Sequence, residues 1–337
     1  MTAEAVKTLF HPFACGALDL PAPQARALFL GAVAGTRPPD GFPAGLACVQ
    51  GFRPDFLALQ RAGFAVSPVA EGSGYDVALV LAGRHRGQNE MRVAEALERT
   101  SPDGLVLVAG AKDDGIGGLL KRVSGLLAVE DHLPKYHGTA FWLRRPGDVA
   151  DAVAALRAGN GRKTVDGRFV AAPGMFSHDA VDAGSRLLES VLPGDLAGKV
   201  ADFCAGWGYL AAEVVRRSSS VARIDLYEAD YESLEAAKAN LAGFASARFF
   251  WHDLAAEPVT ERYDAIVMNP PFHRGRAAEP GIGREMIRAA AAALRKGGRL
   301  FMVANRELPY EAMLGELFAA WRETAREGGF KTFVATR

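Results

Sequence analysis

Cysteine is scarce and poorly placed for any cross-link. The chain has three, Cys15, Cys48 and Cys204, an odd number without C-x-x-C spacing, which argues against a disulfide framework and against a zinc cluster. No metal site is expected, and the thiol usage fits a reducing, cytoplasmic compartment. An excess of charge of either sign is also missing. Lys and Arg together number 39, as do Asp and Glu, so any affinity for nucleic acid or membrane must reside in a local patch. No apolar run approaches the roughly 20 residues of a membrane span. The start of the chain, with Glu4 and a break at Pro12, lacks the basic head and apolar core of a secretion signal. Low-complexity sequence is confined to "RRSSS" at 216–220.

What is present is an ordinary globular composition, 49% hydrophobic and 23% charged, in 337 residues. That length suits about two domains, and a repeat supports the number. "YDVALVLAGRHRG", from Tyr75 to Gly87, returns as "YDAIVMNPPFHRG", from Tyr263 to Gly275, with the same start, apolar run and His-Arg-Gly end. Asn-Pro-Pro-Phe occurs only in the second copy. "DGLVLVAG" similarly answers "GGRLFMVAN", and "GTAFWLRR" at 138–145 answers the terminal "KTFVATR", so each half is expected to close on an equivalent edge strand.

In the second half, apolar runs predict strands ending at 200–203, 224–227, 248–251, 265–268 and 299–304. Helices are expected over 209–217, over 231–241 with Gly243 as C-cap, and over 284–294 with Gly297-Gly298 as terminator. The first half repeats this grammar from about Leu46 to Leu143, with strands near Ala47, Ala65, Val77 and Leu105. Such alternation belongs to α/β folds with a parallel sheet covered on both faces. The polar "AGNGRK" reads as the junction, giving domains 1–158 and 159–337, and "KTVDGRFV" reads as a hairpin turning at Asp166-Gly167.

The chemistry gathers at strand ends in the second half. "VADFCAGWGYL" places Asp202 at a strand terminus, then Gly206 and Gly208, then a helix. Glycines there let backbone approach a ligand, and the helix start offers free N–H groups. Two glycines alone also serve any tight strand-to-helix turn. The next strand ends at Glu228, where a carboxylate accepts both hydroxyls of a ribose, and the one after it leads to Asp253, an acceptor for an adenine amine. Each acid alone fits a solvated loop or a cap. Three at successive strand ends point to one adenosine-bearing ligand.

The fourth strand ends in Asn269, Pro270, Pro271 and Phe272. The prolines fix φ and supply no N–H, so the carbonyls of Asn269 and Pro270, with the Asn269 side-chain oxygen, form a cluster of acceptors. A planar exocyclic amine has the two donors such a cluster needs. Phe272 offers a face for the ring that bears it, a contact worth roughly 1 to 3 kcal/mol in base recognition.

With these motifs the second half resembles the class I S-adenosylmethionine-dependent methyltransferases, and Asn-Pro-Pro-Phe-His resembles the 16S ribosomal RNA guanine-N2 methyltransferases among them. The likeness extends through "PGMFSHDAVDAGSRLL" (173–188), "VANRELPY" (303–310) and "GGFKTFVATR". It implies two tandem Rossmann-like methyltransferase domains, each a mainly parallel seven-stranded sheet with a C-terminal antiparallel strand, the N-terminal copy degenerate. It implies S-adenosyl-L-methionine as cofactor, held by Asp202, Cys204, Gly206, Gly208, Glu228, Asp253 and Asn269. The implied reaction is methyl transfer to guanine N2 in ribosomal RNA of the small subunit, with Asn269, Pro270, Pro271 and Phe272 catalytic. One departure stands out: Cys204 occupies the family's first loop glycine, where its side chain either crowds the cofactor or faces the sheet.

Extruding a base from folded RNA costs a few kcal/mol and needs grip on the phosphates. Seven basic residues against two acids between Arg274 and Arg299 suit that task; His273, Arg274 and Arg276 are the RNA-contact candidates. In the first half Leu81-Ala82-Gly83-Arg84 stands where the tetrad would be, leaving Arg84 and Arg86 either to orient RNA or to a structural role. The alternatives are methylation of large-subunit guanine N2, of adenine N6 or of a protein glutamine amide, and a non-catalytic ribosome-binding factor.

Overall fold

Parallel strands covered on both faces need unbroken apolar runs, and the chain supplies two sets of them. The computed structural model describes residues 3–43, 45–271, 273–274, 277–278 and 280–337; for 3, 273–274, 277–278 and 280 it describes the backbone alone. They form two compact units, one of residues 1–162 with 172–174, the other of 163–171 with 175–337.

The first unit contains β1 (Ala27–Leu30), β2 (Leu46–Val49), β3 (Ala65–Ser67), β4 (Tyr75–Leu81), β5 (Thr100–Ala111), β6 (Asp131–Lys135) and β7 (Gly138–Arg144). Its helices are α1 (Ala3–Ala14), α2 (Arg53–Arg61), α3 (Arg86–Arg99), α4 (Ile116–Ser124) and α5 (Ala150–Arg157). The sheet order is β3-β2-β1-β4-β5-β7-β6. Only β7 runs against its neighbours, and all four residues of the central β1 are buried.

The second unit opens with a hairpin of β8 (Lys163–Val165) and β9 (Phe169–Ala171). Asp166 and Gly167 at its turn both have positive φ, 54° and 65°, as a two-residue turn matched to strand twist requires. The main strands are β10 (Gly198–Phe203), β11 (Val221–Glu228), β12 (Ala247–Trp251) and β13 (Tyr263–Met268), then, after the short pair β14 (His273–Arg274) and β15 (Ala277–Ala278), β16 (Leu294–Asn305), β17 (Ala320–Glu327) and β18 (Phe330–Thr336). The helices are α6 (Ala183–Val191), α7 (Tyr209–Arg217), α8 (Tyr231–Asn240), α9 (Pro280–Ala293) and α10 (Glu311–Leu317). The order β12-β11-β10-β13-β16-β18-β17 reproduces the first sheet strand for strand.

The expected pair of mainly parallel seven-stranded sheets is therefore present, and the strand order and two glycine assignments differ from the sequence reading. The closing strands β7 and β18 are interior, because the preceding strands β6 and β17 take the edges. Gly243 does not cap α8, which ends at Asn240 with Leu241 as C-cap at φ −110°. Gly297-Gly298 does not stop α9 either. That helix ends at Ala293, and the glycines lie where β16 changes register against β13, from Tyr263↔Leu294 to Ala265↔Arg299. Gly297 has φ 77°, and a Cβ on Gly298 would sit 3.0 Å from the Tyr263 carbonyl oxygen. These glycines serve a bulge, which sequence cannot tell from a helix terminator. No helix among the described residues is long and apolar enough to cross a membrane.

Candidate active site

In a sheet of this order the strands on either side of the centre are entered in opposite directions, and the crevice opens at their carboxyl ends. β10 pairs with β11 on one side and with β13 on the other, so the glycine loop after Phe203, Glu228 at the end of β11 and Asn269 just past β13 all meet at that edge.

The loop has three left-handed residues, Cys204 at φ 60°, Gly206 at 53° and Gly208 at 88°. Gly208 is the N-cap of α7, and a Cβ there would meet Leu241 Cδ1 at 2.7 Å. At Gly206 a Cβ would meet nothing within 4 Å: that face of the backbone is open space. Cys204 adopts the same hand with a side chain, which packs partly on the core and partly lines the pocket. Burial raises its thiol well above the usual range, and the Glu228 and Asp202 charges add to the effect. A neutral, inert thiol follows.

Asp202 is fully buried. Its Oδ2 accepts the Ala211 N–H at 2.9 Å in the first turn of α7, while Oδ1 has no partner among the described residues. Its carboxyl is driven well above the ordinary range, first by burial. Asp202 thus reaches the loop from beneath and does not line the pocket. Glu228 is mostly buried and braces the loop from the side, its Oε2 accepting the Gly206 N–H at 2.7 Å and its Oε1 the Asp230 N–H at 2.8 Å. Burial raises its pKa to about 7 against the pull of those N–H groups. Asp253 lies two residues beyond β12, where Oδ1 accepts the Ala255 N–H at 3.0 Å and closes a turn.

Asn269 shares a pocket with the loop. Phe176, Asp182, Ser185, Cys204, Gly206 and Asn269 are among its walls. The Asn269 Nδ2 donates to Asp182 Oδ2 at 2.9 Å and to Ser185 Oγ at 2.8 Å. Pro270 is buried and Pro271 exposed. Phe272 and Arg276 lie outside the described residues, as do the side chains of His273 and Arg274.

Sequence reasoning gave no role to the far wall. Phe176, 57% exposed, lines the pocket, and its carbonyl accepts the Trp207 indole N–H at 3.0 Å. Trp207 is buried, and its own carbonyl accepts from Asn240 at 2.8 Å. Asp182 is the N-cap of α6, accepting the Ser185 N–H at 2.8 Å. The legible signal was Asp-x-x-Ser ahead of an apolar helix, a cap pattern.

The donor set suits an adenosine carrying a methionine. Open space faces Gly206, backbone N–H groups start α7, and a carboxylate stands at the end of β11. Glu228 and Asn269 would hold such a cofactor from either side of the loop.

In the first unit the same positions are closed. Both sheets carry the same register break, after Tyr75 and after Tyr263, and counting from it sets Phe29 at the place of Asp202, Gln50 at Glu228, Ala70 at Asp253 and Leu81 at Asn269. Gly31, at φ 75°, stands where Cys204 stands. The Leu81 carbonyl, at the place of Asn269, accepts from Arg92 at 3.1 Å, and the Gly83 carbonyl, at the place of Pro271, accepts from Asn89 at 2.6 Å, so both are used internally. Arg84 lies 3.7 Å from Asp114 and Arg86 lies 2.7 Å from Glu90, which offsets the charge of both.

Residues 166–334 match the family model described as the methyltransferase small domain. The ribosomal RNA small subunit methyltransferase C of Klebsiella pneumoniae is 38% identical over 161 residues, 48% of this chain and 47% of that protein. Its namesake from Escherichia coli O7:K1 is 36% identical over 176 residues, 52% of this chain and 51% of that protein. The match spans about half the length of these curated relatives. Among solved structures, the T. thermophilus 16S rRNA N2 methyltransferase in complex with AdoMet and guanosine superposes with a TM-score of 0.79 over 99% of this chain and 91% of that one, at 23% identity. At that identity the likeness is one of fold.

Proposed function

The chain belongs to the methyltransferase small domain family, and from that premise we propose that it transfers the methyl group of S-adenosyl-L-methionine to the exocyclic N2 of a guanine in ribosomal RNA of the small subunit. The observation that carries the reading is the shared pocket, in which Asn269 past β13 faces the glycine loop past the adjacent β10. The curated relatives bear a small-subunit ribosomal RNA methyltransferase name, and the T. thermophilus structure was solved with AdoMet and guanosine; both support the choice of substrate.

The cofactor's sulfonium supplies an already activated methyl group. What this chain contributes is alignment and charge. Guanine N2 is a weak nucleophile because its lone pair is delocalised into the ring. Acceptors at Asn269 Oδ1 and the Pro270 carbonyl, each taking one N–H, favour the pyramidal nitrogen of the transition state over the planar ground state. Glu228 orients the ribose of the cofactor and Asp253 its adenine. Phe272 stacks on the target base, and His273, Arg274 and Arg276 contact RNA. The first unit, with its own strand ends closed, serves as scaffold.

The test is methyl transfer from labelled cofactor to small subunits of an unmodified strain, followed by nucleoside analysis. N2-methylguanosine is expected, with Asn269→Ala lowering kcat by about 100-fold or more. Label in N6-methyladenosine or in protein would overturn the assignment.

A further inference from the structure

We propose that Asp182 and Ser185, at the start of α6, set the donor–acceptor polarity of Asn269 and so make the pocket one that receives an amino group. The inference rests on the amine-transfer reading above and supplies what that reading lacks, a reason for Asn269 to present its oxygen. An asparagine amide has two N–H donors at one end and an acceptor at the other, and the two ends have nearly the same shape.

Here the chemistry of the neighbours fixes which end is which. Asp182 Oδ2 lies 2.9 Å from one terminal atom of the amide, and an ionised carboxylate only accepts. Turning the amide over would set oxygen against oxygen, so Nδ2 must face Asp182. Its second hydrogen goes to Ser185 Oγ at 2.8 Å. Both donors are then consumed inside the protein, and Oδ1 is the end left for a ligand in the pocket that Asn269 lines.

The two acceptors are rigidly placed. The same Asp182 oxygen also accepts the Ser185 N–H at 2.8 Å as the cap of α6, and Ser185 is buried. A carboxylate behind the amide also polarises it and strengthens Oδ1 as an acceptor. A guest bearing N–H donors is favoured, and one presenting a carbonyl or a bare ring C–H at that point is rejected. Asp182 and Ser185 act through Asn269 and are positioning residues.

Guanosine and inosine differ only in the 2-amino group, which makes them the probe pair. Asp182→Ser keeps an oxygen to cap α6 but withdraws the carboxylate from Asn269. Ser185→Ala removes the other acceptor, and Ser185→Thr retains a hydroxyl. The 337-residue chain saturated with S-adenosylhomocysteine is titrated with each nucleoside by calorimetry, and methyl transfer to small subunits is measured alongside. Wild type is expected to favour guanosine by about tenfold. In Asp182→Ser and Ser185→Ala the ratio should fall toward one and kcat should drop, while Ser185→Thr recovers most of the discrimination.

An unchanged ratio in both variants, or a ratio that falls only where the cooperative unfolding transition is lost, would overturn the inference. N2-methylguanosine formed by variants with an unaltered ratio refutes the polarity role alone. Discrimination that collapses as expected, in a protein whose RNA product lacks N2-methylguanosine, refutes the substrate reading and supports the polarity role.

Discussion

Glu228 meets two demands that pull its proton in opposite directions. Burial favours the neutral acid and raises the pKa to about 7, whereas the Gly206 and Asp230 N–H groups favour the carboxylate. A ribose diol is a third donor set and binds the ionised form better. Affinity for S-adenosylmethionine is therefore expected to rise by about tenfold per pH unit below the pKa and to level off above about 7. Calorimetry in buffers of differing ionisation enthalpy should detect proton release on binding below pH 7, and Glu228→Gln should flatten the profile. For the free protein the sign runs the other way. A folded pKa above the unfolded value of 4.5 gives stability that is complete below about 4.5 and is lost as pH rises through about 7. Gln50 in the first copy shows the same local geometry without ionisation, its side-chain oxygen accepting the Phe52 N–H at 2.7 Å.

Within the glycine loop, two residues of one type do different work. Gly208 is packed against α8, where an added Cβ would lie 2.7 Å from Leu241 Cδ1 and 3.1 Å from Ala237 Cβ. Gly206 faces open space. Gly208→Ala is expected to cost roughly 2 to 4 kcal/mol from the left-handed backbone and overpacking together. Gly206→Ala should cost only about 1 kcal/mol yet place a methyl in the ligand's path. Urea unfolding and cofactor titration of the pair should separate the effects, the first variant losing stability and the second chiefly affinity. That division was invisible in "CAGWG", because it depends on Leu241 and Ala237, over 25 positions away. Asp182 and Ser185 escaped for a similar reason: their partner Asn269 lies more than 80 residues on. The strand ends were legible because an apolar run breaking at Asn-Pro-Pro or at an acid is a local pattern. Gly243 and Gly297-Gly298 show the limit, since glycine marks a departure from regular backbone without saying which one.

Across the whole chain the duplication is more complete than the motif repeat implied. Reading the first copy from about Leu46 missed β1, four buried residues at the centre of the sheet, for lack of the acid that marks its partner: Phe29 stands where Asp202 does. Recovering β1 also recovers a degenerate loop, Gly31 to Gly35, after it. A shared fold does not make a second site. Gln50 replaces the ionisable Glu228, Ala70 replaces Asp253, and a Cβ on Gly31 would lie 2.8 Å from an Arg92 guanidinium nitrogen, so the space beside that loop is filled. Titration of the full chain with S-adenosylmethionine is accordingly expected to show a single binding event, one cofactor per chain. Glu228→Arg, which sets a cation where the ribose hydroxyls need an acceptor, should abolish it entirely. A second event that survives Glu228→Arg would mean that the first copy binds cofactor without any of the four strand-end groups, and the role of those groups in the second copy would need another explanation.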